Sequence, residues 1–267
     1  MVFAIQFMAD AGQSPQGNRG GTLNWPIGGM TGNMCCGFYQ PSQDLANAFQ
    51  TSNGLPLLDT YNQSDIANDA GINSDEAFTP HTGPLDPRID FTIGRRGIEY
   101  NGYGPFTGKE NIRASFSDIS GPYAAKKSMY YAGDDTNKGT GGWGQQRSGI
   151  NYHIIRYADV LLMAAEAYNR SGINDNLALS YLNQVRIRAF DDDEFELNNL
   201  SGANLTNAIW EERKFELAME GHRFFDLVRT SLASSVIPGF IQGKHEVFPI
   251  PQQEIDMNEN MIQNEGY

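Results

Sequence analysis

Two regimes of hydrophobic spacing meet near residue 151. Beyond it, Ile154, Tyr157, Ala158, Leu161, Ala165 and Tyr168 recur at the i, i+3, i+4, i+7 positions of one helical face. Ser171-Gly172 should close that helix, because glycine accepts the left-handed backbone that follows a helix C-terminus. Ala178, Tyr181, Leu182, Val185 and Ala189 repeat the pattern behind a cap at Asn174 or Asp175. The turn between the two is short, which predicts an antiparallel hairpin. A third helix is expected from about Leu205 to Val228, with Gly221 inside it at a cost of ~1 kcal/mol against alanine. The tail cannot be helical until after Pro251, since Phe248-Pro-Ile-Pro251 interrupts any ladder.

Before residue 151 the helical period is nearly absent. Ser42 to Gln50 is the exception, with Ser42 as N-cap and Leu45, Ala48 and Phe49 on one face, ending in an Asn53-Gly54 turn. Turn signals recur at Asn101-Gly102, Gly104-Pro105, Gly121-Pro122 and Gly139 to Gly144, with short strands such as Ile89 to Ile93 between them. The first ten residues lack a basic segment and reach Asp10 too soon for a signal peptide; they read as a strand or buried segment that begins in mid-domain. The expectation is a mainly helical fold with long ordered loops and minor strand. It divides into a loop-rich part (1–150), a helical part (151–229) and a tail (230–267). Loops of such length usually carry a binding or structural role.

Charge narrows the functions available. The 267 residues hold 32 acidic against 19 basic side chains, a net charge of −13, which argues against nucleic acid and against a polybasic grip on anionic lipid. The longest purely apolar run, Val160 to Ala165, is far short of the ~20 residues that span a bilayer. Cys35 and Cys36 are adjacent, too close for an unstrained bridge, and read as small buried residues.

Three polar constellations could carry chemistry. Glu212, Glu216 and Glu220 stand at i, i+4, i+8, where paired carboxylates could do acid/base work or hold a metal. Arg213, Arg223 and Arg229 lie three or four residues from acidic partners, so a self-neutralising ionic network explains the same residues and is the reading adopted. Asp191-Asp192-Asp193-Glu194 and Asp134-Asp135 offer oxygen ligands but not the regular calcium-loop spacing, and read as solvated loop charge. Gly94-Arg95-Arg96-Gly97 could clamp an anion, or pair with Asp86 or Asp90. His81, His153, His222 and His245 are scattered, and no nucleotide-binding loop, nucleophile elbow or His-Glu-x-x-His motif occurs. No cofactor or metal is assigned.

The remaining signal is aromatic. Trp25, Tyr100, Tyr103, Phe106, Tyr123, Tyr130, Tyr131 and Trp143 fall in Gly/Pro-rich loops, where flat apolar faces beside Asn, Gln and Asp suit a ligand. Trp143 leads, because Gly141, Gly142 and Gly144 leave it uncovered and Gln145 and Gln146 follow; Trp25 and Tyr103 come next.

Several separated segments resemble one family. They are Phe3-Ala-Ile-Gln6, Asp86-Pro-Arg-Ile-Asp-Phe-Thr-Ile-Gly-Arg-Arg-Gly97, Gly121-Pro-Tyr123 with Lys126-Lys127, and Arg156-Tyr-Ala-Asp-Val-Leu-Leu-Met-Ala-Ala-Glu-Ala167. Leu182-Asn-Gln-Val-Arg-Ile-Arg188, Glu212 through Arg229, Phe248-Pro-Ile-Pro-Gln-Gln-Glu-Ile-Asp-Met-Asn258 and Gln263-Asn-Glu-Gly-Tyr267 follow in the same order. Together they resemble the C-terminal portion of the SusD/RagB family of outer-membrane nutrient-binding lipoproteins. The resemblance implies tetratricopeptide-type helix pairs and a non-catalytic protein on the extracellular face of the outer membrane. It would be held there by a lipid anchor belonging to the N-terminal portion. It would capture oligosaccharides and deliver them to a TonB-dependent transporter of the SusC type. Some relatives capture peptides instead, and a glycoside hydrolase using Glu212, Glu216 and Glu220 is the alternative from another class. The family's shared motifs are scaffold, so no binding residue is carried over from them.

Overall fold

The computed structural model describes residues 1–9, 25–32, 37–113, 121–139 and 148–267. They form two compact units, Met1–Met219 and Glu220–Tyr267. In the first, β1 (Phe3–Ile5) opens the chain, and α1 (Gln43–Ala48) follows behind its cap, the Ser42 hydroxyl accepting from the Leu45 amide at 3.1 Å. The strands β2 (Thr51–Ser52) and β3 (Leu55–Pro56) make a hairpin across Asn53 and Gly54, both at positive φ (50° and 71°), which a two-residue turn of this kind requires. The strand expected at Ile89 to Ile93 is instead a helical turn, α2 (Ile89–Thr92), running into β4 (Ile93–Gly94). Asp86 causes the difference: its carboxylate accepts the Arg88 amide and its carbonyl accepts that of Ile89, so the chain winds before it extends.

After β5 (Ala124–Ala125), which pairs with β4, comes β6 (Tyr152–Ile155), antiparallel to β1. Ile154 falls within β6, so the first long helix starts later than its apolar spacing suggests. It is α3 (Tyr157–Arg170), and α4 (Asp175–Phe190) returns beside it after Gly172 at φ 68°. The Asn174 side chain caps α4 by accepting from the Leu177 amide. With α5 (Gly202–Glu216) they bury Leu161, Leu162, Ala165, Ala178, Leu182, Val185, Leu205 and Ile209 in one core. A second core lies under the loops, where Ala46, Phe49, Ile66, Ile89, Ile93 and Tyr123 meet Phe215 of α5. The described residues are thus mainly helical, with three two-stranded sheets.

The expected Leu205–Val228 helix is two helices. α5 stops at Glu216, and Met219 (φ 64°) and Gly221 (φ 84°) take left-handed backbone that no right-handed helix continues. The second unit then holds α6 (Arg223–Arg229), α7 (Ala233–Val236) and α8 (Gln252–Met257). Its Phe248-Pro-Ile-Pro251 run is tied by side chains: Gln263 bonds both the amide and the carbonyl of Ile250, and the Asn264 amide donates to the Phe248 carbonyl at 2.7 Å. Prolines lack the N–H that a strand ladder needs, so amide side chains supply the missing pairing.

Candidate functional site

The carboxylates nominated for chemistry are the heart of an ionic cluster. Glu212 and Glu216 are 2% and 3% exposed. Arg88 donates to Asp86 (2.6 Å), Glu212 (2.5 Å) and Glu216 (3.3 Å), while Arg186 donates to Glu212 (2.9 Å) and to the carbonyls of Gly54 and Phe195. Arg156 and Arg188 complete the shell of Glu216, and the Lys127 ammonium donates to its carbonyl. Arg213, expected to pair along its own helix, reaches across to Asp159 on α3 at 2.7 Å. Arg229 pairs with Asp226 as the spacing foretold. Glu220, beyond the break, does not continue the series on α5. Burial by itself would raise the Glu216 carboxyl. The guanidiniums of Arg188, Arg88 and Arg156 outweigh it and hold the group below its ordinary value. A general acid needs the opposite shift and an open approach to substrate. The cluster is built to hold α4 and α5 to the loop-rich part.

The arginines of Gly94-Arg95-Arg96-Gly97 are likewise engaged. Arg95 forks onto Asp90 at 2.7 and 2.9 Å, and Arg96 donates to the carbonyls of Ser74 and Glu76 with its guanidinium over the Phe78 ring. Among the described residues, no group of three or more His, Cys, Asp or Glu side chains could hold a metal ion.

The loop aromatics separate into a core and a display. Trp25, Tyr100, Phe106 and Tyr130 are at most 1% exposed and share a cluster with Ile112, Ala124 and Met129. Trp25 meets Tyr130 edge-on at 4.7 Å, and the Tyr100 hydroxyl donates to the Ala125 carbonyl. So Trp25 lies inside the protein, under the surface it was expected to form. Tyr103 is half-buried against the same cluster. It follows a tight turn at Asn101 (φ 49°) and Gly102 (φ 82°), closed by the Tyr103 amide on the Tyr100 carbonyl. Asn101 ties that tip to the next loop, accepting from the Ala132 amide at 2.8 Å.

Tyr131 belongs to the loop aromatics but not to the three ranked first among them. It is 58% exposed beside the buried Tyr130. Consecutive side chains of extended backbone face opposite ways, so a Tyr-Tyr pair in a loop is itself a signal that one ring is displayed. Burial, then the nearness of Tyr130, Asp134 and Asp135, pushes the Tyr103 hydroxyl up to about 12. Trp25 and Tyr103 pack in the cluster that holds Tyr130, and the Asp134 amide donates to the Tyr131 carbonyl at 3.0 Å, closing the turn that follows. Trp143 and its flanking glycines lie outside the described residues, as do Cys35 and Cys36. The Lys138–Ser148 bridge, from which the Trp143 segment leaves the described chain, has the Lys138 ammonium 6.0 Å from the Tyr130 ring. Among the described residues, the arrangement offers a ring face and hydrogen-bonding groups.

Residues 1–245 match the profile of the SusD family. A SusD-like protein of Formosa agariphila is 36% identical over 163 residues, 56% of this chain and 31% of that protein. One of Bacteroides ovatus is 36% identical over 105 residues, covering 39% of this chain and 18% of its own. Among solved structures, a SusD-like protein from Bacteroides fragilis superposes with a TM-score of 0.66 at 20% identity, over 100% of this chain and 54% of that one. Surface glycan-binding protein A from Bacteroides thetaiotaomicron does so with a TM-score of 0.65 at 22% identity, over 99% and 51%. The chain spans about half the length of these two structures and under a third of the two curated relatives. The chain belongs to the SusD family.

Proposed function

We propose that this member of the SusD family is the glycan-capturing part of a non-catalytic cell-surface protein. It holds oligosaccharides at the extracellular face of the outer membrane, where a lipid anchor attaches the protein, and passes them to a TonB-dependent transporter of the SusC type. The Tyr103–Tyr131 surface carries the reading. Tyr131 is exposed next in sequence to the buried Tyr130, Tyr103 is half-buried against the same aromatic core, and a backbone hydrogen bond from Ala132 to Asn101 ties their two loops together. Sugars present C–H faces to aromatic rings and hydroxyls to polar neighbours, so one surface meets both needs. A protein of the same fold, from Bacteroides thetaiotaomicron, is a surface glycan-binding protein, which supports the choice of ligand.

Trp143, which lies outside the described residues, is a second candidate stacking platform within this proposal on the strength of its glycine-flanked sequence alone. Trp25 positions the surface from beneath. The arginine-locked Glu212 and Glu216 support a binding role over hydrolysis. A glycan array followed by product analysis tests the reading. Retention of an oligosaccharide class without cleavage is expected; turnover of a bound glycan, or retention of peptides alone, overturns it. For the transporter, the full-length protein drawn from membranes in mild detergent should bring a barrel protein with it, and repeated purification without one would count against delivery.

A further inference from the structure

We infer, on the glycan reading above, that Asn101 is the positioning residue of the Tyr103–Tyr131 surface. At 5% exposure it meets no ligand; it sets affinity by fixing the two loops against each other before a sugar binds.

Tyr103 and Tyr131 stand on separate loops, and Asn101 joins those loops twice. Its side-chain amide donates to the Met129 carbonyl at 3.3 Å, and its backbone carbonyl accepts from the Ala132 amide at 2.8 Å. The two bonds bracket Tyr130 and Tyr131. Tyr130, 1% exposed and edge-on to Trp25, pins the middle of that segment, so Tyr131 keeps little freedom beyond its own side-chain torsions. On its own loop Asn101 opens the turn that delivers Tyr103. There the Gly102 amide donates to a Glu99 carboxylate oxygen at 2.7 Å, and the Tyr103 amide to the Tyr100 carbonyl at 2.9 Å. The loops also meet closely: a Cβ added at Gly102 would come within 3.2 Å of the Ala132 Cβ.

Asparagine answers two demands at this position. Its φ of 49° is left-handed backbone, which asparagine, aspartate and glycine accept far more readily than other residues. The bond to the Met129 carbonyl also needs an N–H donor on a short side chain. Glycine brings the backbone without a side chain, and aspartate, when ionised, only accepts. Untied loops would have to be ordered by the sugar itself, and that ordering subtracts from affinity; a surface ordered in advance escapes it. Asn101 thus acts through Tyr103 and Tyr131 rather than on the ligand.

The test is a double-variant cycle on this chain, read by calorimetric titration with neutral gluco-, manno-, galacto- and xylo-hexasaccharides and by urea unfolding. Asn101→Gly keeps the left-handed backbone and loses the side-chain tie, so affinity should fall about threefold to tenfold, the cost of ordering one mobile side chain. Asn101→Asp should fall likewise, and stands in if the glycine variant does not fold. In a Tyr131→Ala background the same change at Asn101 should cost less than about twofold, because the ring it holds is gone. A residue that only stabilises the fold would lower the unfolding midpoint and leave the affinity of the folded fraction alone. Unchanged affinity in both Asn101 variants would therefore overturn the inference, as would equal losses with and without the Tyr131 ring; either result leaves glycan capture standing. Failure of the unaltered chain to bind any of these sugars would remove the glycan reading, and the positioning role with it.

Discussion

Glu216 shows how one residue can be held charged inside a protein. Burial opposes its ionisation, and Arg88, Arg156 and Arg188 reverse that balance. Since its folded pKa is below the ordinary 4.5, the stabilisation it brings is complete above that value and is lost as pH falls through the folded one. Urea unfolding followed from neutral pH to below pH ~4 should therefore show a steep acid limb. Glu216→Gln should flatten that limb and lower stability at neutral pH by ~3–5 kcal/mol, because three guanidiniums lose their shared partner. Unaltered stability would show that the cluster is not coupled. Trp25 makes a contrasting case. The sequence placed it among displayed aromatics, since a Gly/Pro-rich loop carries no burial period, yet its ring lies edge-on to Tyr130 at 1% exposure. Trp25→Ala is expected to cost ~3–5 kcal/mol of stability, read in the same unfolding assay.

Elements were legible where local chemistry and apolar spacing agreed. Ser42 caps α1 and Asn174 caps α4 as their side chains dictate, and Asn53-Gly54 makes its hairpin turn. They were misread where a contact distant in sequence or a backbone dihedral intervened. Ile154 carries helical spacing but lies in the strand that pairs with Phe3–Ile5, at the irregularity between its paired neighbours, and the third helix breaks at Met219 and Gly221 although polar and aromatic periodicity runs on. Gly54 tests how far turn and packing combine. Its φ of 71° disfavours any side chain, and an added Cβ would come within 2.1 Å of the Phe195 ring, next to the carbonyl that Arg186 binds. Gly71 has nearly the same φ, 78°, with open space around it. Gly54→Ala should thus exceed the ~1 kcal/mol backbone cost expected of Gly71→Ala. Equal losses in the two variants would mean that Phe195 moves aside freely.

Across the whole molecule, the residues that made the family readable and those that would bind a ligand are different sets. Asp86, Arg88, Lys127, Arg156, Arg186, Arg188, Glu212 and Glu216 all fall in the segments that resemble the family, and they converge in one cluster joining helices to loops. A scattered set of charges reads clearly in sequence because each must meet a partner of fixed type and reach. Tyr103 and Tyr131 lie outside those segments, in turns where the sequence says little about which ring faces out. This separation predicts a double dissociation. Glu212→Gln leaves Arg88 and Arg186 without their carboxylate, so stability should fall by ~3–5 kcal/mol, while the protein that remains folded binds oligosaccharide with unchanged affinity. Tyr131→Ala removes an exposed ring, so the unfolding midpoint should hardly move, while affinity should drop by ~1–3 kcal/mol. Calorimetric titration and unfolding on the same preparations decide the matter. If Glu212→Gln weakens binding in fully folded protein, or Tyr131→Ala leaves it intact, scaffold and site are not divided in this way.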